Sequence, residues 1–270
     1  MALDLATEAQ LLGLAARAGV PVPAVRYVLA PEDGLGSGYL MQRLAGETIP
    51  RRILRDDVFA ATRPRLARQC GEILARIHAV PSASLPALPS APATVQWRQY
   101  RDLYDGFDWP HPVFELAFRW IEARLPSAHD PTRARDTLVH GDFRHGNLMI
   151  GPDGVRGVLD WELAHRGDPL EDLGWLCVNS WRFGNIDLPV GGFGVREDLF
   201  AGYEAAGGVR VEPERVRFWE VVGSLKWGIM CMMMLSVFER GIDRSVERAA
   251  IGRRASEAEI DLLALLAEED

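Results

Sequence analysis

The stretch His140-Gly141-Asp142-Phe143-Arg144-His145-Gly146-Asn147 decides the reading of this 270-residue chain. It has the form H-x-D-x-x-x-x-N. The chain holds six histidines, 19 aspartates and three asparagines, so composition alone would rarely produce the pattern. The spacing has a chemical reason. A carboxylate at Asp142 can orient an acceptor hydroxyl and take its proton. A neutral oxygen ligand a few residues on, at Asn147, can help hold Mg²⁺.

A second carboxylate should complete such a site. Leu148-Met149-Ile150 and Val155–Leu159 are apolar runs flanking Gly151-Pro152-Asp153-Gly154, and Asp-Gly is a strong hairpin signal. With Asp153-Gly154 as the two-residue loop, Asn147 lies directly opposite Asp160 at the open end of the hairpin. That places both side chains within reach of one cation. Beyond it, Asp168 reads as an N-cap, Pro169 as a first helical residue and Glu171 as the acid of a capping box. Asp168 and Asp172 are expected to be structural. Glu162 is either near the metal or turned to solvent.

The composition is that of a folded globular chain, with 48% hydrophobic and 25% charged residues. This excludes a disordered or collagen-like protein. The net charge of −8 argues against general nucleic-acid or anionic-membrane binding. Cys70, Cys177 and Cys231 are far apart with no CxxC pair, so buried reduced thiols are expected rather than disulfides or a zinc site. Met1–Leu5 has no basic leader, and a cytoplasmic location is expected. Val221–Phe238 is the most apolar segment, but it holds Lys226 and reads as a buried helix with a methionine-rich face rather than a membrane span. Lys226 is the only lysine, the other 29 basic residues being arginine. It reads as a core-edge side chain snorkelling from its helix.

Periodicity supplies the rest. Thr7–Gln10 reads as a capping box opening a helix that Gly19, Pro21 and Pro23 stop. Val25–Leu29 and Tyr39–Leu44 read as strands, and Arg65–His78 as a helix. Trp97–Leu125 is aromatic and mostly helical, with a break at Trp109–Pro112. Phe193–Ala206 and Glu214–Arg240 read as helices, and a last helix starts at Ser256 with a second capping box. His78 reads as a helix-end residue near the carbonyl dipoles.

Residues 138–173 resemble the aminoglycoside phosphotransferase and choline kinase superfamily of small-molecule kinases. The pattern is most similar to a bacterial branch related to an acyl-CoA-dehydrogenase-associated kinase domain. Supporting similarity runs through Ala6–Ala9, Gly19–Pro23, Tyr39–Leu44 with Gly46-Glu47, Leu74–His78 and Arg253–Leu266. The resemblance implies an α+β, protein-kinase-like fold. Residues 1–45 would be a remnant of the N-terminal, nucleotide-covering lobe with its hinge strand. Residues 46–270 would be the catalytic lobe, with a helical acceptor-binding insert near 97–125. It further implies Asp142 as catalytic base and Asn147 and Asp160 as Mg²⁺ ligands. Met41 would lie near the adenine of ATP, and the backbone of Gln42 and Leu44 would meet its edge. Glu8 would match the helix glutamate that pairs with a phosphate-holding lysine.

Only seven residues precede Glu8 and none is basic, so the strand carrying that lysine and the glycine-rich cover are not found. Gly34–Gly38 reads as a hairpin turn and Gly191–Gly194 as a loop. The expected activity is ATP- and Mg²⁺-dependent phosphoryl transfer to a hydroxyl of a small molecule, by a chain shortened at its N-terminus. The alternative is a non-catalytic pseudokinase or nucleotide-binding module. A weaker third reading is a hydrolase or metal enzyme using His140, Asp142 and His145. The acceptor pocket is expected between the helices of 97–125 and the segment Asn179–Phe193. An exposed sheet edge in the small lobe is expected either to pair with another chain, such as a second copy, or to promote aggregation.

Overall fold

The computed structural model describes residues 2–125 and 136–267. Met1, part of the segment read above for a leader, lies outside the described residues. Helix α1 (Leu5–Arg17) is capped by Asp4, whose carboxylate accepts the Thr7 N–H at 2.9 Å and the Thr7 hydroxyl at 2.8 Å. The helix therefore starts ahead of the expected Thr7 box, because an ionised N-cap also favours the helix dipole. Strands β1 (Val25–Val28) and β2 (Tyr39–Met41) form a two-stranded antiparallel sheet. The chain between them turns through Gly34 and Gly36 at positive φ, as the glycine run suggested.

Strand β2 is shorter than expected because the chain leaves it for the large body of the protein. Glu47 exchanges both backbone hydrogen bonds with Ile150, at 2.9 Å each. Helix α2 (Pro50–Arg55) was not expected from the sequence. Four helices follow its pattern, namely α3 (Arg63–His78), α4 (Ala93–Asp105) and α5 (Pro112–Glu122), with α6 (Leu170–Cys177) after the motif region. Pro50 and Pro112 each occupy a first-turn position, where the missing N–H costs nothing. Between α5 and α6 lie two antiparallel pairs. Strand β3 (Thr137–Val139) pairs with β6 (His165–Gly167), and β4 (Leu148–Gly151) pairs with β5 (Gly154–Val158).

The remaining helices are α7 (Arg196–Ala205), α8 (Pro213–Glu239), α9 (Val246–Gly252) and α10 (Ala255–Ala267). Helix α9 has no forerunner in the sequence reading. Ser256 does not cap α10, which begins at Ala255; its hydroxyl donates to the Arg253 carbonyl at 3.2 Å.

Helix α8 is the centre of the core and packs on α4, α5, α6, α9 and α10. Among the described residues it is the one helix long and apolar enough to cross a membrane, with a mean hydropathy of 1.7 over its most apolar window. Its Val221, Leu225, Ile229 and Met232 lie inside the protein. Met232 is buried but Met233 is 37% exposed, so the methionines do not form one inward face.

Helices α3 and α7 cross where Gly71 meets the backbone of Leu199 and Tyr203. A Cβ on Gly71 would overlap the Leu199 carbonyl oxygen and lie 2.6 Å from the Tyr203 nitrogen. This close approach brings Tyr203 to His78 at the end of α3. The three cysteines are free and buried, as expected.

Candidate active site

The site is built on the loop between β3 and β4, which carries residues 140–147. Gly141 takes φ +78 and Gly146 φ +130, conformations that suit glycine. A Cβ on Gly141 would also overlap the Leu163 carbonyl oxygen. His140 ties the loop together. Its backbone N–H donates to Asp172, and its Nδ1 accepts the Asp142 N–H at 3.2 Å. Its Nε2–H donates to the Leu159 carbonyl at 3.1 Å. That pattern requires a neutral ring, and burial holds the His140 pKa below the ordinary value, against the pull of Asp172 and Asp142.

The Asp142 carboxylate is held by three side chains. Trp175 Nε1–H donates to Oδ1 at 2.8 Å, Asn147 Nδ2 donates to Oδ2 at 2.6 Å, and Arg144 Nε lies 3.0 and 3.1 Å from the two oxygens. Asn147 Nδ2 also reaches the Asp142 backbone carbonyl at 3.0 Å. The amide nitrogen is thereby spent on Asp142, which makes Oδ1 the oxygen that remains for a cation.

The hairpin differs from its expected register. Gly151 pairs with Gly154, so Pro152-Asp153 is the loop, and a bulge follows between Met149 and Ile150. Asn147 consequently faces Leu159, whose N–H donates to the Asn147 carbonyl at 2.9 Å. Asp160 is one residue beyond, not directly opposite. The cause is that Pro152 favours the first corner of a turn and Gly154, at φ +130, joins the ladder.

Asp160 stands out for a different reason. It is one of two non-glycine residues with positive φ among those described, at +64. It is exposed, and its carboxylate has no hydrogen-bond or ion-pair partner among the described residues. A strained backbone presenting an unpartnered acid is a common sign of a functional position.

Beneath the loop lies a buried network that the sequence placed only in outline. Asp172 accepts the N–H groups of His140 at 2.8 Å and Gly141 at 3.0 Å, and the Nε2 of His78 at 3.1 Å. His78 Nδ1 meets the Tyr203 hydroxyl at 2.9 Å. His78 is thus a strut of the loop rather than a helix-end residue facing carbonyls. Burial alone would raise the Asp172 pKa, but the His78 hydrogen bond and the nearby imidazoles outweigh it and hold the acid below its ordinary value. Pro169, not Asp168, is the N-cap of α6; Asp168 stands one residue before it, accepts the Leu170 N–H at 3.0 Å and pairs with Arg215 at 2.7 Å. Glu171 does not close a capping box; its carboxylate takes Gln96 at 2.6 Å and His165 at 3.0 Å. Glu162 faces solvent.

Lys226 does not snorkel. It is buried under the loop, with Nζ 3.1 Å from the Gly141 carbonyl and 4.5 Å from the Trp175 ring centre. His145 turns away from Asp142 and donates Nδ1–H to the Gly191 carbonyl at 2.7 Å, between the rings of Phe183 and Phe193. Burial pushes its pKa down to about 4. Among the described residues no cluster of three His, Cys, Asp or Glu side chains could hold a metal. The hydrolase reading with His140 and His145 is therefore overturned.

The expected nucleotide contacts sit where the chain leaves β2. Met41 is half exposed. The Gln42 N–H is taken by the Ala24 carbonyl at 2.8 Å, which leaves only its carbonyl for a ligand. The Leu44 N–H has no backbone partner among those described, and its side chain covers Gly157 of the hairpin. Glu8 is buried and its carboxylate accepts the Tyr39 hydroxyl at 3.2 Å, with no cationic partner among the described residues. Burial raises its pKa, and the charges of Asp160 and Glu162 add to the rise.

A cavity of about 520 Å³ is lined by Asn179, Arg182 and Ile186 together with Arg196, Glu220 and Asp261. Asp142, Asn147 and Asp160 are not among its lining residues, nor are the helices of 97–125. Their Trp97, Tyr104, Phe114 and Phe118 pack on one another instead.

The helical body, the short sheets and the loop with its acid and amide define a kinase-like protein. The chain belongs to the phosphotransferase enzyme family, whose model matches residues 2–219. A Ralstonia eutropha protein assigned to the aminoglycoside phosphotransferases superposes with a TM-score of 0.79 at 19% identity, over 98% of this chain and 83% of that one. A choline/ethanolamine kinase family protein from Mesorhizobium loti gives 0.69 at 22% identity, over 98% and 79%. An aminoglycoside phosphotransferase from Streptomyces rimosus, bound to ADP and streptomycin, gives 0.57 at 18%, over 83% and 82%. These likenesses establish the protein-kinase-like fold. By sequence, the chain is 31% identical over 185 residues to mouse acyl-CoA dehydrogenase family member 10 and 33% over 172 residues to chicken member 11. The matches cover 63% and 58% of this chain but only 16% and 21% of those proteins.

Proposed function

We propose that this chain is an ATP- and Mg²⁺-dependent phosphotransferase acting on the hydroxyl of a small molecule. The observation that carries this reading is the Asp142–Asn147 contact at 2.6 Å beside an unpartnered, strained Asp160. Asp142 is the catalytic base. It orients the acceptor hydroxyl and receives its proton as the acceptor oxygen bonds to phosphorus and the bond to the ADP oxygen breaks. Three side chains donating to its carboxylate fix its position, which suits a reaction where positioning outweighs base strength.

Asn147 Oδ1 and the Asp160 carboxylate are hard oxygen donors, few in number, and fit Mg²⁺, which prefers one or two protein ligands with phosphates and waters. When bound, the ion neutralises charge on the phosphates. Arg144, beside both oxygens of Asp142, brings a positive charge to that carboxylate. Met41 and the Gln42 and Leu44 backbone are the adenine-facing positions.

The test is ADP release from Mg²⁺-ATP with a panel of aminoglycosides, a macrolide, choline, ethanolamine and simple hydroxy acids. Acceptor-dependent release that stops when EDTA removes the metal supports the reading. ADP release that is unchanged by EDTA refutes it.

A second reading, nucleotide binding without transfer, is favoured by Glu8, whose buried carboxyl meets a tyrosine rather than a cation. Its signature is a rise in melting temperature with Mg²⁺-ADP and no turnover with any acceptor.

A further inference from the structure

We propose that Lys226 and Trp175 are positioning residues that act as one unit to set the Asp142 carboxylate for transfer. The proposal rests on the phosphotransferase reading above. The two residues grip Asp142 from both ends. Lys226 Nζ donates to the Gly141 carbonyl at 3.1 Å and so fixes the peptide that leads into Asp142. Trp175 fixes the side chain, with its indole N–H 2.8 Å from Oδ1. The two grips are linked, because the ammonium stands 4.5 Å from the centre of the Trp175 ring. A cation over an indole face draws density from the ring and strengthens the N–H as a donor.

Nothing about packing requires a charge here. Helix α8 buries Val222, Leu225 and Ile229 around this position, and a methionine would fill the same space. An ammonium in such a setting is tolerated only where charge and hydrogen bonds compensate it. Burial works against the Lys226 charge. The Tyr100 oxygen and the carboxylates of Glu171, Asp142 and Asp172 outweigh it and hold its pKa above the ordinary lysine value. The sequence carries an independent sign: the chain uses arginine at every one of its other 29 basic positions. The ammonium is a compact point charge that here donates to a carbonyl and stands over a ring face, whereas a guanidinium would present a planar fork of donors on a different stem.

The experiment compares Lys226→Met, Lys226→Arg, Trp175→Phe and the double variant Lys226→Met/Trp175→Phe in the full chain. With an acceptor that gives turnover in the panel of aminoglycosides, macrolide, choline, ethanolamine and hydroxy acids, each single variant is expected to lose at least tenfold in kcat, with KM for ATP unchanged within twofold. The double variant is expected to lose no more than the worse single, and arginine is not expected to rescue. Losses that multiply in the double variant, or a full kcat in Lys226→Met with only a lower melting temperature, overturn the proposal.

A second readout does not depend on turnover. The Trp175 indole N–H resonance, assigned by its disappearance in Trp175→Phe, is expected to shift in both Lys226→Met and Asp142→Asn. An indole resonance unmoved in Lys226→Met overturns the coupling even if the wild type proves inactive. Absence of turnover alongside a shifted indole would count against the phosphotransferase reading alone.

Discussion

Asp172 offers the sharpest test of how the loop is held. Its carboxylate is fully buried and accepts three hydrogen bonds, from the His140 and Gly141 amides and from His78. In Asp172→Asn one oxygen remains to accept, but the new NH₂ group must face at least one of those donors. A hydrogen bond to a charged group contributes about 1.5–3 kcal/mol, and leaving a buried donor unmatched costs about 1–3 kcal/mol. The expected loss is therefore roughly 3–5 kcal/mol, in line with breaking other buried ionic contacts. At about 2–4 °C per kcal/mol for a protein near this size, the melting temperature should fall by roughly 10 °C. Urea unfolding and thermal melts measure this directly.

The sign of the pH dependence follows from the depressed folded-state pKa of Asp172. Its contribution is present above the unfolded value, near 3.8, and lost as pH falls through the lower folded value. The gap between wild type and variant should stay constant from pH 6 to 8 and narrow only in strong acid. Turnover per folded molecule should fall at least tenfold, because the His140–Gly141 peptide leading to Asp142 loses its anchor. A stability loss below about 1 kcal/mol, or a stable loss of ten degrees with normal turnover, would refute the role assigned to this network.

Other outcomes follow from the same geometry. Burial lowers the His145 pKa from 6.5 to about 4, so stability from this group is full above pH 6.5 and drains between 6.5 and 4. At 1.36 kcal/mol per unit the total is roughly 3 kcal/mol, and His145→Gln should flatten the wild-type loss of melting temperature in that window. Asp160→Gly should relieve the +64 φ and gain up to about 1 kcal/mol in urea unfolding while abolishing Mg²⁺-dependent turnover. Gly71→Ala should destabilise by about 2 kcal/mol or more, since its methyl would overlap the α7 backbone; a neutral effect would refute the close crossing of α3 and α7.

Much of this molecule is legible in its sequence because the decisive features are local. The strand, turn and helix signals around residues 138–173 each arise within a few residues, and the acid–amide pair of Asp142 and Asn147 is spaced by the loop itself. The hairpin register differs by one residue from the expected one because proline and glycine compete for the same turn, with Pro152 taking its first corner and Gly154, at φ +130, joining the ladder. Arg144 was visible in the motif, but nothing in its neighbours reveals that it folds back on Asp142. His78, Lys226 and the α6 pair Asp172 and Trp175 come from three distant points in the chain. Periodicity assigns each to a buried helix face and cannot say that those faces meet under one loop. The sole signal was compositional: one lysine in a chain that otherwise uses arginine.

The most direct test of the central claim is single-turnover phosphoryl transfer at saturating Mg²⁺-ATP, with nucleotide affinity measured on the same samples, for wild type and Asp142→Asn. General-base and positioning losses of about 10²–10⁴-fold are usual for such a residue. The account predicts a drop of at least a hundredfold in the transfer rate with nucleotide affinity unchanged. Equal transfer rates in the two proteins would contradict it.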